Sequence, residues 1–328
     1  MTTMTEFVDG YAAIVLMGAA GLDFLVGDPW HWPHPVQAMG WVIQRYTNLA
    51  FKATQSATVL KGLGVLLSVL LVGGSAMVGW GLVAIARWFN PWLGLSLEII
   101  LVASCFAGRS LRDAAEDVLA PLLQNDLAEA RQRLSRYVGR DTHDLERPEI
   151  LRAVFETVAE NSVDGIMGPL FYALVGAATP LGGASLALAY KAASTLDSMV
   201  GYRAAPYTDI GWCSAKFEDA LTWLPCRLTV VTLALLSRKP RTVMGLCQRD
   251  AAADPSPNSG WSECAYAASL GVQVGGKNVY KGVVKVKPLM GDPDREITPD
   301  VVRVCLRLNR FCFLLWLGLG ALGILLIF

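Results

Sequence analysis

From residue 62 to residue 86 the chain runs twenty-five residues without a charge, GLGVLLSVLLVGGSAMVGWGLVAIA. Crossing the hydrocarbon core of a bilayer takes about 20 such residues, so this run is read as a transmembrane helix. A second run, FCFLLWLGLGALGILLIF over 311–328, follows Arg303, Arg307 and Arg310, whose guanidinium groups suit the headgroup layer. Four weaker runs accompany them: 11–27, interrupted by Asp23; 88–108, interrupted by Glu98; 165–190, uncharged but broken by Pro169, Pro180 and Gly182-Gly183; and 220–237, carrying Arg227. About five crossings are expected. Composition points the same way, with 53% apolar and 17% charged residues against roughly 45–50% and 25% in soluble domains.

Lys+Arg and Asp+Glu both number 28, so no nucleic-acid footprint is present. Seven cysteines, without a CxxC pair, read as scattered packing thiols rather than a disulfide framework or zinc site. The amino end carries Glu6 and Asp9 but no basic residue before the first apolar run, so the first segment is expected to stay attached.

With all six runs crossing, 23 of the 28 basic residues fall on one side, as the positive-inside rule favours. Residues 191–219 would then face the other side. In the alternative arrangement the Pro-Leu-Gly-Gly break at 180–183 lets residues 167–190 dip in and return, while 220–237 lies on the surface.

The polar stretches differ in kind. In 109–164, LRDAAEDVLAPLLQ and DLAEARQRLSRYVG have apolar residues at three- and four-residue spacing, predicting a helical extramembrane layer with Gly139 as a stop. Residues 238–310 are rich in turn formers (DPSPNSGW, GDPD) and contain the β-branched basic run 280–287, predicting a loop-rich lobe with a short strand or hairpin. The expected architecture is a mainly α, multi-pass integral membrane protein. It has N-terminal membrane helices with an acidic/His loop (1–108), the helical layer (109–164), a membrane-associated segment with charged motifs (165–237), the polar lobe (238–310) and a C-terminal span (311–328).

Several constellations can carry chemistry. Asp23, Asp28, His31 and His34 fall within twelve residues on a Pro-stiffened loop that can bind a divalent cation, or serve as an interfacial belt with Trp30, Trp32 and Trp41. In FETVAENSVDG, Glu156 and Glu160 lie four apart on one helical face with Asn161 and Asp164 beyond, a pattern for Mg²⁺ ligation or general-base work, or for a solvated face. Lys191, Asp197, Arg203, Asp209, Lys216, Glu218, Asp219 and Arg227 place charge beside apolar segments, where it usually marks function. DPSPNSGW offers Asp254, Ser256, Asn258 and Ser259 on a turn that can aim N–H groups at an anion. GVQVGGKN nearly spells a phosphate loop but ends in Asn278 and follows a helical AYAASL, so it is rejected as one; Lys277 is kept as a phosphate contact.

Taken together, LDFLVGDPWHWPHPVQAMGWVI, SRYVGRDTHDL, ETVAENSVDGIMGPLFYALVG, YKAASTLDSMVGYR, DIGWCSAKFEDALTWLPCRLT and PSPNSGWSECAYAASLGVQVGGKNVYKG resemble the adenosylcobinamide-phosphate synthase family, integral-membrane enzymes of cobalamin assembly. Ser259 and Cys264 stand where Ala is expected, and Ala253 near a position often His. The resemblance implies ATP-dependent amide formation between the free propionate of adenosylcobyric acid and aminopropanol or its phosphate. It also implies Mg²⁺ and a multi-pass plasma (inner) membrane location.

A carboxylate is a poor acyl donor, so activation as a mixed anhydride with phosphate is expected, with cations neutralising the developing charge. Residue chemistry then suggests Glu156, Glu160 and Asp164 as Mg²⁺ ligands with Asp23 and Asp28 as a second acidic group. It assigns Lys191, Arg203 and Lys216 to ATP phosphates, and Asn258 and Lys277 to the aminopropanol phosphate. Asp197 or Asp219 would deprotonate the incoming ammonium. Glu156 and Glu160 are catalytic candidates too, and His34, Asn161, Ser256 and Tyr280 complete the substrate-binding set. The corrinoid would lie against Trp30, Trp32, Trp41 and Trp261. Use of cytoplasmic ATP by residues 191–219 favours the returning hairpin. The rivals are a transporter for a corrinoid or anionic solute, which should show two related halves with broken spans, and a membrane scaffold for neighbouring pathway enzymes.

Overall fold

The computed structural model describes residues 2–28 and 32–327, with side chains from 10 to 326. His31 and Trp30 of the acidic/His loop therefore lie outside the described residues. The described chain is mainly helical and forms two compact units, one made of Met1–Ala107, Gly168–Thr222 and Leu315–Phe328, the other of Gly108–Met167 and Trp223–Leu314. Four helical stretches are long and apolar enough to cross a membrane: Ala57–Phe89, Pro91–Leu123, Trp212–Leu236 and Pro299–Leu326; Gly10–Leu25 is apolar but shorter.

The first unit begins with α1 (Thr2–Leu25), α2 (Pro35–Ala53), α3 (Ala57–Phe89) and α4 (Pro91–Ala103). At 33 residues α3 is about 50 Å long. Its exposed side is a row of Val69, Met77, Trp80, Ile85 and Trp88, with Trp88 81% exposed, an apolar surface far larger than a soluble monomer leaves bare. The single residue Asn90 turns α3 into α4: its Oδ1 accepts the amides of Trp92 (2.8 Å) and Leu93 (3.3 Å), and Pro91 opens the new helix. α3 also packs on α9 (Gly183–Val200). Their crossing is close because Gly79 has no side chain: a Cβ there would stand 2.7 Å from Leu188 Cδ1.

Residues 165–190 do not form one span. A π-turn over Val163–Met167 leads into α8 (Gly168–Ala177), which at ten residues rises only about 15 Å, and the chain turns at 178–182 into α9, packed against α8. Pro180 and Gly182 stand at the break, and α8 and α9 form a helical hairpin. The accompanying expectation, that 220–237 lies on the surface, is not what the length gives. Those residues belong to α10 (Trp212–Leu236), whose 25 residues reach about 37 Å and suffice to span.

The second unit holds α5 (Gly108–Leu123), α6 (Leu127–Leu134), α7 (Arg147–Ser162), α11 (Pro240–Asp250) and α12 (Ser259–Leu270), then a hairpin of β1 (Val274–Tyr280) and β2 (Val283–Met290). Asp126 caps α6 by accepting the Glu129 amide at 2.9 Å. The helix ends before Gly139: at Arg136 and Tyr137 the amides reach back only three residues, to Arg133 and Leu134, and the turn tightens out of the α-helix. β1 and β2 pair antiparallel with Lys277 opposite Val286 and Tyr280 opposite Val283, joined by the two-residue turn Lys281-Gly282. Both turn residues have positive φ, 51° and 77°, the conformation such a turn requires. α13 (Pro299–Ile327) already includes Arg303, Arg307 and Arg310, so these ride on the last helix rather than preceding it. Within this unit Arg303 forks onto Glu116 with two bonds of 2.9 Å instead of standing ready for headgroups.

Candidate active site

The densest charge in the second unit gathers on α7. Its first turn is set by Pro148 and by Glu149, whose carboxylate accepts the Glu146 amide at 2.9 Å. Two turns on, Glu156 is 2% exposed and fully engaged. Oε2 accepts Arg140 Nη2 at 2.6 Å, while Oε1 accepts Arg152 Nη1 at 3.0 Å and the Gly275 amide at 2.8 Å. Asn278 on β1 stitches the same guanidinium groups, its Oδ1 accepting from Arg140 at 2.9 Å and Arg152 at 3.1 Å. Arg152 also donates to the carbonyls of Gly275 and Lys277. Two guanidiniums against one carboxylate leave this group with one surplus positive charge. Glu156 is therefore not placed as a metal ligand: its oxygens already serve arginines and an amide.

One turn further, Glu160 is solvent-accessible but set among enough protein that desolvation raises its carboxyl above the ordinary value; Asp254 and Glu156 add to the rise and Lys287 opposes it. The cation beside it is Lys287 of β2, whose Nζ lies 2.5 Å from Glu263 Oε1 and 3.9 Å from Asp254 Oδ2. Burial pulls the Lys287 ammonium down, but Glu263, Glu160 and Asp254 outweigh it and the net shift is upward. Glu263, on α12, is wholly buried, and burial drives its carboxyl well above the usual range against the pull of Lys287. Its Oε2 has no hydrogen-bond partner among the described residues.

The DPSPNSGW turn seats these groups. Asp254 Oδ1 accepts the Ser256 amide at 2.9 Å, and Ser256 Oγ accepts the amides of Asn258 and Ser259 at 3.2 Å, launching α12. Gly260 leaves no room for a side chain, since a Cβ would stand 2.5 Å from Asp254 Cβ. Arg227 braces the turn, its guanidinium 4.1 Å from the Trp261 ring centre and its Nη2 bonded to the Pro257 carbonyl at 2.9 Å.

Asp141, next to Arg140, clasps the hairpin tip, accepting the Gly282 amide at 2.8 Å and the Lys281 amide at 3.1 Å. Lys277 is exposed on β1, and Tyr280 carries Lys285 5.3 Å above its ring. The GVQVGGKN segment is a helix cap at Gly271 followed by strand, not a loop opening a helix, which accords with its rejection as a phosphate loop.

Of the expected site residues, Glu156, Glu160, Asn161, Asp164, Ser256, Asn258, Lys277 and Tyr280 belong to this unit. Asn161 is exposed and bonds the Thr157 carbonyl at 2.9 Å; Asp164 lies within the π-turn; Asn258 is 5% exposed at the start of α12. The first unit contains Asp23, Asp28, His34, Lys191, Asp197, Arg203, Lys216 and Asp219. There His34 caps α2, accepting the Val36 amide at Nδ1 (3.3 Å), which leaves Nε2 to donate to Asp28 at 3.1 Å. Lys216 and Asp219 pair at 3.6 Å on α10, Lys191 and Asp197 stand on α9, Arg203 is exposed after it, and Asp23 is buried on α1. Trp32 and Trp41 are exposed. No group of three or more His, Cys, Asp or Glu among the described residues is arranged to hold a metal. Sequence reasoning missed Arg140, Arg152, Glu263 and Lys287, and it placed Asp254 only on a turn.

The family model described as CobD/Cbib protein matches residues 16–309. Cobalamin biosynthesis protein CobD of Synechocystis sp. is 51% identical over 315 residues, covering 96% of this chain and 92% of that protein. Cobalamin biosynthesis protein CbiB of Salmonella arizonae is 43% identical over 298 residues, covering 88% and 89%. No solved structure matches. A chain so alike over nearly its whole length, with four helices fit to cross a membrane, belongs to the CobD/CbiB family of cobalamin biosynthesis proteins.

Proposed function

We propose that the protein is an ATP-dependent amide ligase of the plasma (inner) membrane. It joins the free propionate of adenosylcobyric acid to aminopropanol phosphate through an acyl-phosphate, with ADP leaving as the carboxylate is activated and inorganic phosphate leaving as the amine forms the amide of adenosylcobinamide phosphate. The observation that carries this reading is the pair of neighbouring charge groups in the second unit. One has two guanidiniums on a carboxylate and a surplus positive charge, suited to holding anions; the other has three carboxylates around a single lysine, suited to a cation. A ligase that brings a carboxylate, a nucleotide and an amine together needs both.

The arginines Arg140 and Arg152 are rigidly oriented by Glu156 and Asn278, so their remaining N–H groups are fixed before an anion arrives. Ser256 and Asn258, at the start of α12, and Lys277, on β1, are the further groups for phosphate oxygens. Mg²⁺ would enter with the nucleotide, which supplies most of its ligands as phosphate oxygens and water. Asp164, in the π-turn that follows α7, is the carboxylate that would add a protein oxygen. Bound there, the ion would neutralise charge on the transferring phosphate.

The test is purified full-length protein in detergent with adenosylcobyric acid, aminopropanol phosphate and Mg-ATP. Amide product with one ADP per bond formed is expected. Neither product nor ADP, together with corrinoid uptake into liposomes, would replace the ligase by a transporter.

A further inference from the structure

Resting on the amide-ligase reading, we propose that Glu263, Glu160 and Asp254 form the receptor for the primary ammonium group of the amine substrate, with Lys287 as their fixed counter-ion. Charge is the first argument. Glu156 is already neutralised by Arg140 and Arg152, but around Lys287 three carboxylates face one ammonium. Burial lifts the Glu263 and Glu160 carboxyls against the pull of that one ammonium, and a second cation beside them favours their charged forms.

The second argument is the orphaned oxygen. Glu263 is fully buried and spends Oε1 on Lys287, while Oε2 accepts no hydrogen bond among the described residues. A buried carboxylate oxygen left unpaired is costly, and a ligand bringing an N–H donor recovers that cost on binding. Glu160 supplies the way in, because it is solvent-accessible and close enough to Lys287 and Asp254 to feel both.

The chemistry of the donors selects an alkylammonium over a metal ion. An ammonium offers three N–H donors that can be shared among acceptors several ångströms apart. A divalent cation demands carboxylates converging on one point, and no three do so among the described residues. This moves recognition of the amine away from Asp197 and Asp219.

The experiment uses the full-length protein in detergent with adenosylcobyric acid and Mg-ATP, comparing wild type with Glu160→Gln and Glu263→Gln. Two nucleophiles are supplied: aminopropanol phosphate, whose amine is cationic at neutral pH, and hydroxylamine, which is largely uncharged there and traps the activated acyl group as a hydroxamate. In each variant the KM for aminopropanol phosphate is expected to rise about ten- to a hundredfold, the range for losing a charged hydrogen bond. Hydroxamate formation stays within about twofold of wild type, which also reports a folded, ATP-competent protein. An unchanged amine KM, or loss of both nucleophiles together, overturns the proposal. If Glu263→Gln does not elute as a folded species, Glu160→Gln decides. If wild type itself makes neither hydroxamate nor ADP, the ligase reading fails. Calorimetric binding of aminopropanol phosphate to wild type and Glu160→Gln then tests the receptor alone, with at least tenfold weaker binding by the variant expected and equal binding overturning it.

Discussion

Arg87, in the last turn of α3, reaches the Glu98 carboxylate of α4 at 2.5 Å; the same carboxylate accepts the Tyr11 hydroxyl of α1 at 2.9 Å and the Gly183 amide that begins α9 at 3.0 Å. Glu98 is 3% exposed and every one of these partners belongs to the first unit. A carboxylate within an apolar helix is thus satisfied by a cation, a hydroxyl and a helix N-terminus at once.

Removing Glu98 leaves a guanidinium, a phenol and a helix-start amide without their common acceptor. Glu98→Ala should destabilise the protein by about 2–3 kcal/mol, below the roughly 3–5 of a fully buried pair because Arg87 is half-exposed. Thermal unfolding in detergent measures it. Arg87→Met combined with Glu98→Met should recover part of the loss, since an apolar pair leaves no stranded charge; a double variant as unstable as the sum of the singles would refute the pairing.

Arg140 links three pieces of the second unit: the loop after α6, the middle of α7 through Glu156, and β1 through Asn278. Arg140→Lys keeps the charge but not the fork, and it should reduce amide formation about ten- to a hundredfold, as expected for loss of charged hydrogen bonds. Steady-state kinetics in detergent check this. Arg136→Lys, at a half-exposed arginine whose contact with Asp117 is 4.0 Å, is the control and should leave the rate unchanged.

Asp141 has a carboxyl held below the usual carboxylate range, chiefly by the Gly282 amide and also by that of Lys281. A depressed pKa contributes stability that is fully present above the ordinary aspartate value and disappears as the pH falls through the lower, folded-state value. The β1–β2 turn should therefore hold its amide-exchange protection from neutral pH down past about 4 and lose it only in more acid solution. Hydrogen exchange of the Lys281 and Gly282 amides reads this directly. Asp141→Asn should make their protection weaker and independent of pH across that range.

Much of this was legible in the sequence where a single local pattern decides. α3 and the end of α13 follow from uncharged runs, and the break before α9 from Pro180 and Gly182, because lipid and backbone sterics act on the segment itself. Glu156 and Glu160 were legible as an i, i+4 pair, but not what neutralises each. Arg152 stands one turn before Glu156 and was within reach of the same spacing rule. Arg140 lies in the quoted SRYVGRDTHDL block, yet its partner Asn278 is 138 residues away. Glu263 left a faint signal, one carboxylate in the otherwise uncharged helix SGWSECAYAASL, and Lys287 another through strand alternation in VVKVK. Their meeting depends on how α12 packs beneath the hairpin, which no local period encodes. For the same reason the metal-like look of Glu156 did not survive, since the Gly275 amide that occupies its Oε1 comes from 119 residues away.

The crossing of α3 and α9 tests how finely the membrane-type packing is specified. Gly79 and Gly81 are two residues apart on the same apolar helix and equally uncharged, but a Cβ on Gly79 would meet Leu188 Cδ1 at 2.7 Å and the Ala184 carbonyl at 3.4 Å, whereas one on Gly81 meets nothing within 4 Å. Hydropathy alone predicts that leucine at either site is harmless. Packing predicts otherwise: Gly79→Leu should destabilise the protein by about 1–3 kcal/mol, the usual result of overpacking a tight contact, and Gly81→Leu should be neutral. The Ser185 hydroxyl, which donates to the Ala76 carbonyl at 3.0 Å in the same crossing, would be pulled off its acceptor by the first change and untouched by the second. Paired thermal melts in one detergent decide it, and equal melting temperatures for the two variants would mean that the helices are held together by something other than close backbone approach.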